Sequence, residues 1–162
     1  MNTSTHPQTE ITVDPSLPTL TIVREFDATP DKVFRAHIDP ELVVQWLGPH
    51  GTTMKVDTWD ARTGGSYRYV AEHEGQEYGF YGAFHEVRPN DRIVQTFTFE
   101  GVPDGVSLDT VTFEELPGGR TRLTGLSVVD SMEARDAMVA SGMETGVVQG
   151  YESLDDLLAA DS

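Results

Sequence analysis

Between Thr53 and Val128 five turn-forming clusters recur: Gly64-Gly65, Glu74-Gly75, Arg88-Pro89-Asn90-Asp91, Val102-Pro103-Asp104-Gly105 and Pro117-Gly118-Gly119. The stretches between them are short and rich in Tyr, Phe, Val and Thr, residues that suit a pleated, half-buried surface. Strands so closely connected can pair only as antiparallel neighbours, because a parallel crossover needs about a dozen or more residues. The chain is therefore expected to form a meander of about six strands over this region.

The flanking segments read differently. Leu20 to Phe26, LTIVREF, has the composition of a first strand, and Thr29 then offers a helix N-cap with Pro30 at the first helical position. Val33, Phe34, His37 and Ile38 recur at helical spacing. Asp39 and Pro40 open a second short helix whose Leu42, Val43, Trp46 and Leu47 share a face, and Gly48-Pro49 ends it. Residues 1–19 are polar, carry Pro7, Pro15 and Pro18, and are expected to be a flexible tail ahead of one domain spanning 20–160. At the other end Ser131 caps a helical region in which Met143, Val147, Tyr151, Leu154 and Leu158 form an apolar stripe. A long amphipathic helix against one curved antiparallel sheet is the economical architecture, an α+β fold.

Gly142, Gly146 and Gly150 interrupt that last helix every four residues, each at a cost of about 1 kcal/mol relative to alanine. Membrane dimerisation through this GxxxG spacing is excluded by the polar Glu144, Gln149 and Glu152 around it. Close packing against bulky sheet residues such as Phe97 and Phe99 is one explanation and space for a ligand another; Ser141-Gly142 also suits a break between two helical pieces.

At this point particular stretches resemble a known family. They are REFDATPDKVFRAHIDPELVVQWLGP (Arg24 to Pro49), TGGSYRY (Thr63 to Tyr69), YGAFHEVRPNDRIVQTFTFE (Tyr81 to Glu100), VTFEELPGGRTRLT (Val111 to Thr124) and GMETGVVQGYESLDDLLA (Gly142 to Ala159). In order and spacing they resemble the START-like helix-grip superfamily, also called SRPBCC, in its branch related to the C-terminal domain of the heat-shock chaperone ATPase activator (Aha-type). The resemblance implies a seven-stranded antiparallel sheet wrapped around the C-terminal helix, with two short helices after the first strand. It also implies a cavity that in many relatives accommodates small hydrophobic molecules, but no common reaction. The family commonly has Gly-Trp where this chain has Gly146-Val147, a difference that would either enlarge the cavity or leave space that a neighbour fills.

Composition narrows the functions. A formal charge of −16 disfavours nucleic acid and anionic lipid as partners. The absence of cysteine removes thiolate metal sites and cysteine nucleophiles, and fits a cytoplasmic protein. No apolar run reaches the roughly 18 residues needed to cross a bilayer. No GxSxG, Walker A, GxGxxG or HExxH pattern is present, so no catalytic or metal-ligating residues are assigned and no cofactor is expected.

What remains is an aromatic inventory. The candidate cavity residues are Trp46, His50, Trp59, Tyr67, Tyr69, Phe80, Phe84, Phe97 and Phe99, with Met143, Val147 and Tyr151 from the helix. WLGPHG, Trp46 to Gly51, is read as helix termination first and cavity rim second, with His50 the one candidate acid or base beside it. Arg68 or Arg24 could supply a charge to orient a ligand. A binding module for a small hydrophobic molecule is the leading expectation. A cyclase- or hydrolase-type enzyme using the same cavity is the alternative, and a chaperone-interacting module follows; the protein is expected as monomer or homodimer.

Overall fold

The computed structural model describes residues 7–160. Eight strands form one antiparallel sheet: β1 (Glu10–Val13), β2 (Thr19–Phe26), β3 (Thr53–Trp59), β4 (Ser66–His73), β5 (Gln76–Arg88), β6 (Arg92–Phe99), β7 (Ser107–Leu116) and β8 (Arg120–Val128). Their spatial order is β1-β2-β8-β7-β6-β5-β4-β3. β3 to β8 are the six-strand meander that the turn clusters demand. The helices α1 (Pro30–Ile38) and α2 (Pro40–Val43) carry the chain from β2 to the far edge, and α3 (Met132–Ala140) and α4 (Met143–Ala160) complete it.

The strand count corrects the expected seven. The extra strand, Glu10–Val13, lies within the segment read as a tail and pairs with β2 from Glu10↔Val23 to Val13↔Leu20. Three prolines and a polar composition concealed it, but EITV alternates well enough to add to an edge that already has donors to offer. The first six residues of the expected tail lie outside the described residues.

Curvature has identifiable sources. Register shifts interrupt β3 between Val56 and Thr58 and β5 between Phe84 and Glu86, and bulges of this kind bend a strand and increase its twist. His85 falls at the second of these and is exposed. At Gly82, opposite Tyr67, a β-carbon would overlap the Thr96 carbonyl and the Tyr67 hydroxyl. Only glycine lets the tyrosine lie across the strand and donate to Thr96 O at 2.7 Å.

The concave face holds the core: Phe26 and Leu123 from the sheet, Val33 and Phe34 from α1, and Leu154 and Leu158 from α4. Each large apolar side chain buried this way contributes about 1.5–3 kcal/mol. A buried ion pair fastens the same end of α4. Arg24, 1% exposed, engages both oxygens of the Asp155 carboxylate, stands 4.8 Å from the centre of the Phe26 ring, and also donates to Thr9 Oγ1 and Glu25 O.

Ser131 caps α3 as expected, accepting from Ala134 N at 3.0 Å. α3 and α4 are separate because Gly142 adopts φ +85°, so the break read at Ser141-Gly142 is present. α2 is shorter than the spacing of Leu42, Val43, Trp46 and Leu47 suggests: after Val43 the backbone continues as turns, although Val43 and Trp46 remain buried.

Candidate functional site

Strand alternation defines which residues face α4. Phe113 packs edge-on against Phe34 and His37 of α1, so the side chains of Val111, Asp109 and Ser107, two residues apart along β7, share that concave face. Their cross-strand partners follow: Gly125 and Ser127 on β8, Gln95 and Phe97 on β6. Tyr67 and Tyr69 of β4 and Phe80 and Phe84 of β5 complete the face on the other side.

Most of the expected aromatic candidates do come together here. Tyr67 stacks on Tyr69, Tyr69 on Phe80 and Phe80 on Phe97, with centroid separations of 6.2, 5.1 and 5.3 Å. Phe99 joins through Phe80 at 5.3 Å, while Trp59 and Phe84 close the other end against Tyr67. A second group links the helices: Trp46 stacks on Tyr151 at 5.9 Å and meets the His37 ring at 4.9 Å. The indole nitrogens of Trp46 and Trp59 donate to Ala36 O and Ile38 O, at 2.9 and 2.7 Å, which anchors both rings as core.

His50 is placed elsewhere. Its side chain is 56% exposed, with Nε2 3.6 Å from Glu152 Oε1 and Nδ1 3.5 Å from Ser153 Oγ. Glu152 and Ser153 lie on the side of α4 turned away from Val147 and Leu154, so His50 does not reach the concave face. The backbone explains this: Gly48 and Gly51, with φ +97° and +86°, turn the chain outward after Trp46. The WLGPHG stretch thus ends the helical segment with a buried Trp46 and delivers His50 to solvent. Arg68 and Arg24 are also committed: Arg68 lies on the convex face, paired with Glu100 and Asp57, and Arg24 is held by Asp155.

The contact between α4 and the sheet is closed at one end and loose at the other. Leu154 and Leu158 are buried, whereas Met143, Val147 and Tyr151, earlier on the same stripe, are only half-buried. Across the concave face Phe80, Phe97, Val111 and Ser127 also keep accessible surface. Asp109, His37 and Tyr151 also keep part of their surface accessible. Two clefts lie elsewhere on the surface. One of about 190 Å³ lies between α1 and α4 beside Asp31, Arg35, Leu42 and Leu157, and one of about 410 Å³ lies at the β1 edge beside Gln8, Glu10 and Arg122.

The concave face carries polar groups that the aromatic inventory did not disclose. Ser127 Oγ donates to Asp109 Oδ1 at 2.5 Å, Ser107 lies two residues along the same face of β7, and Gln95 donates to Tyr67 Oη at 3.1 Å. Burial raises the Asp109 carboxyl above the usual carboxylate range, against the pull of the two serines. Burial likewise raises Tyr67 and Tyr69 and pushes Tyr151 up to about 12, with the Asp109 charge adding to all three. The His37 ring is lowered to about 4 by burial, which keeps it neutral as it donates from Nδ1 to Val33 O. A sequence signal for Asp109 existed: an acid inside the strand pattern SLDTVTF, at a position alternating with Val111 and Phe113.

Comparison with known proteins agrees with this architecture. The family described as activator of Hsp90 ATPase homolog 1-like protein matches residues 27–159. A crystal structure from Rhodobacter sphaeroides is similar at 31% identity and TM-score 0.83, covering 93% of this chain and 98% of that one. A protein from Mycobacterium smegmatis is similar at 27% identity and TM-score 0.84, covering 93% and 97%. One from Chromobacterium violaceum is similar at 30% identity and TM-score 0.75, covering 87% and 96%. No curated protein matches the chain. Among the described residues no helix is long and apolar enough to cross a membrane.

Proposed function

Because the chain belongs to the family of activator of Hsp90 ATPase homolog 1-like proteins and has its helix-grip fold, we propose that it binds a small, mainly apolar molecule between the sheet and the first half of α4. The observation that supports this reading is the looseness of the grip around Val147. A helix that buries Leu154 and Leu158 leaves Met143, Val147 and Tyr151 half-covered above aromatic side chains that themselves remain accessible. An apolar molecule seated there would complete the burial that the protein leaves unfinished, at about 25 cal/mol per Å² of apolar surface covered.

The test is native mass spectrometry of the purified chain, with extraction of anything bound, alongside titration with an apolar fluorophore such as anilinonaphthalene sulfonate. The expected result is a bound organic mass or saturable fluorophore binding that Val147→Trp removes, since the indole would occupy the recess. No adduct, with fluorophore binding indifferent to Val147→Trp, would sink the reading. A chaperone-directed role is suggested by the family description alone, and no feature of the described surface favours it. The enzymatic alternative relied on His50 as its acid or base, but His50 stands on the outer side of α4, 3.5 Å from Ser153 Oγ and 3.6 Å from Glu152 Oε1, distances too long for strong hydrogen bonds.

A further inference from the structure

Asp109 is a buried acid without a cation. Its cross-strand neighbours are Ser127 on β8, which donates to it, and Gln95 on β6. None of these carries positive charge, and among the described residues no lysine or arginine is close enough to draw the carboxyl down. Arg24 on β2 already has both its terminal nitrogens on Asp155.

A second observation is independent of that acid. Tyr69, only 8% exposed, has no hydrogen-bond partner for its hydroxyl among the described residues, and neither has Tyr151. A native interior satisfies its buried polar groups with protein, water or ligand, so two idle hydroxyls and an acid without an ion-pair partner, all between the sheet and α4, describe a place for a donor-bearing guest. The stacked rings of Tyr69, Phe80 and Phe97 supply the apolar wall and, through their π faces, a further attraction for a cation.

We infer that the molecule held in the recess carries a protonated amine, whose ammonium group pairs with Asp109 within reach of the Tyr69 and Tyr151 hydroxyls while its apolar body lies against Phe80, Phe97 and Val147. The inference rests on the binding role proposed above and assigns the chemical class of its ligand. An ammonium offers three donors, enough for one carboxylate oxygen and two phenol oxygens. A carboxylate ligand is repelled by the same acid, and a neutral alcohol supplies a single donor without charge.

The experiment compares phenethylamine, phenethyl alcohol and phenylacetate, matched in ring and chain length, by NMR titration of the full chain. The amine is expected to bind at least about tenfold more tightly than the alcohol, as charge-assisted hydrogen bonds outweigh neutral ones, with amide shifts at Asp109 and Ser127. Asp109→Asn should abolish that preference, and Val147→Trp should weaken amine and alcohol alike. Equal binding of amine and alcohol, or a preference for phenylacetate, overturns the amine assignment; if Val147→Trp still weakens them, the recess survives as a general apolar site. An amine preference undiminished in folded Asp109→Asn also overturns it. If none of the three probes binds, the amine assignment and the binding role fall together. Should Asp109→Asn not fold, the amine-to-alcohol ratio in the unaltered chain decides.

Discussion

The glycines spaced four apart do not predict one common response to alanine, and the pair inside α4 offers the sharper test. A β-carbon on Gly146 would meet Pro49 Cδ at 3.5 Å, an ordinary van der Waals contact. A β-carbon on Gly150 would lie 3.2 Å from Trp46 O, 3.3 Å from Gly48 N and 3.4 Å from Gly48 O, all backbone atoms of a turn that cannot swing aside like a side chain. Alanine gains about 1 kcal/mol over glycine in a helix interior, so Gly146→Ala should stabilise by about 0.5–1 kcal/mol. Gly150→Ala receives the same gain but must displace the turn that seats Trp46 on Tyr151, and overpacking of this kind costs about 1–3 kcal/mol. The net expectation is destabilisation of about 1 kcal/mol. For a chain of this size each kcal/mol moves Tm by about 2–4 °C, so calorimetry should show the two variants shifted in opposite directions. Equal stabilisation by both would refute the argument that backbone approach at Gly150 is why the glycine is there.

Other consequences are equally direct. Asp155→Asn leaves the Arg24 guanidinium buried without its counter-charge and should cost about 3–5 kcal/mol in urea unfolding, most of which the double change Arg24→Met with Asp155→Leu should restore. His37, lowered to about 4 from an ordinary 6.5, favours the fold only while neutral. Its contribution is therefore complete above pH 6.5 and declines as pH falls toward 4, by about 3 kcal/mol in all. Relative to wild type, His37→Phe, which keeps the ring between Trp46 and Phe113, should flatten that part of the Tm-against-pH curve. Gly82→Ala forces a β-carbon into the Thr96 carbonyl and should destabilise by more than about 2 kcal/mol, seen as a lowered urea midpoint with unchanged slope.

The architecture was legible in the sequence because it is written locally. Turn chemistry at Gly64-Gly65 or Pro117-Gly118-Gly119 fixes where strands stop, and short connections then fix who pairs with whom. Thr29-Pro30, Asp39-Pro40 and Ser131 mark helix starts by the same local logic. β1 escaped because an added edge strand is selected by a vacant partner, Val23 through Leu20, and not by its own four residues.

The site was legible only in its apolar part, and the reason is physical. A stacked series such as Tyr69, Phe80 and Phe97 follows from parity along neighbouring strands, which one sequence supplies once the meander is known. What surrounds Asp109 does not, because it depends on Ser127, Gln95 and Tyr151 arriving from a neighbouring strand on each side and from the helix. His50 shows the converse error: beside Trp46 in sequence, it is carried to the opposite side of α4 by two glycines with positive φ. The same glycine-bounded turn that withdraws His50 is what Gly146 and Gly150 allow α4 to approach, so the stripe read as room against Phe97 and Phe99 is spent on the backbone of Trp46 to Pro49. The half-burial of Val147 is then left to the small residue at that position, and Val147→Trp is the variant that tests the proposed recess.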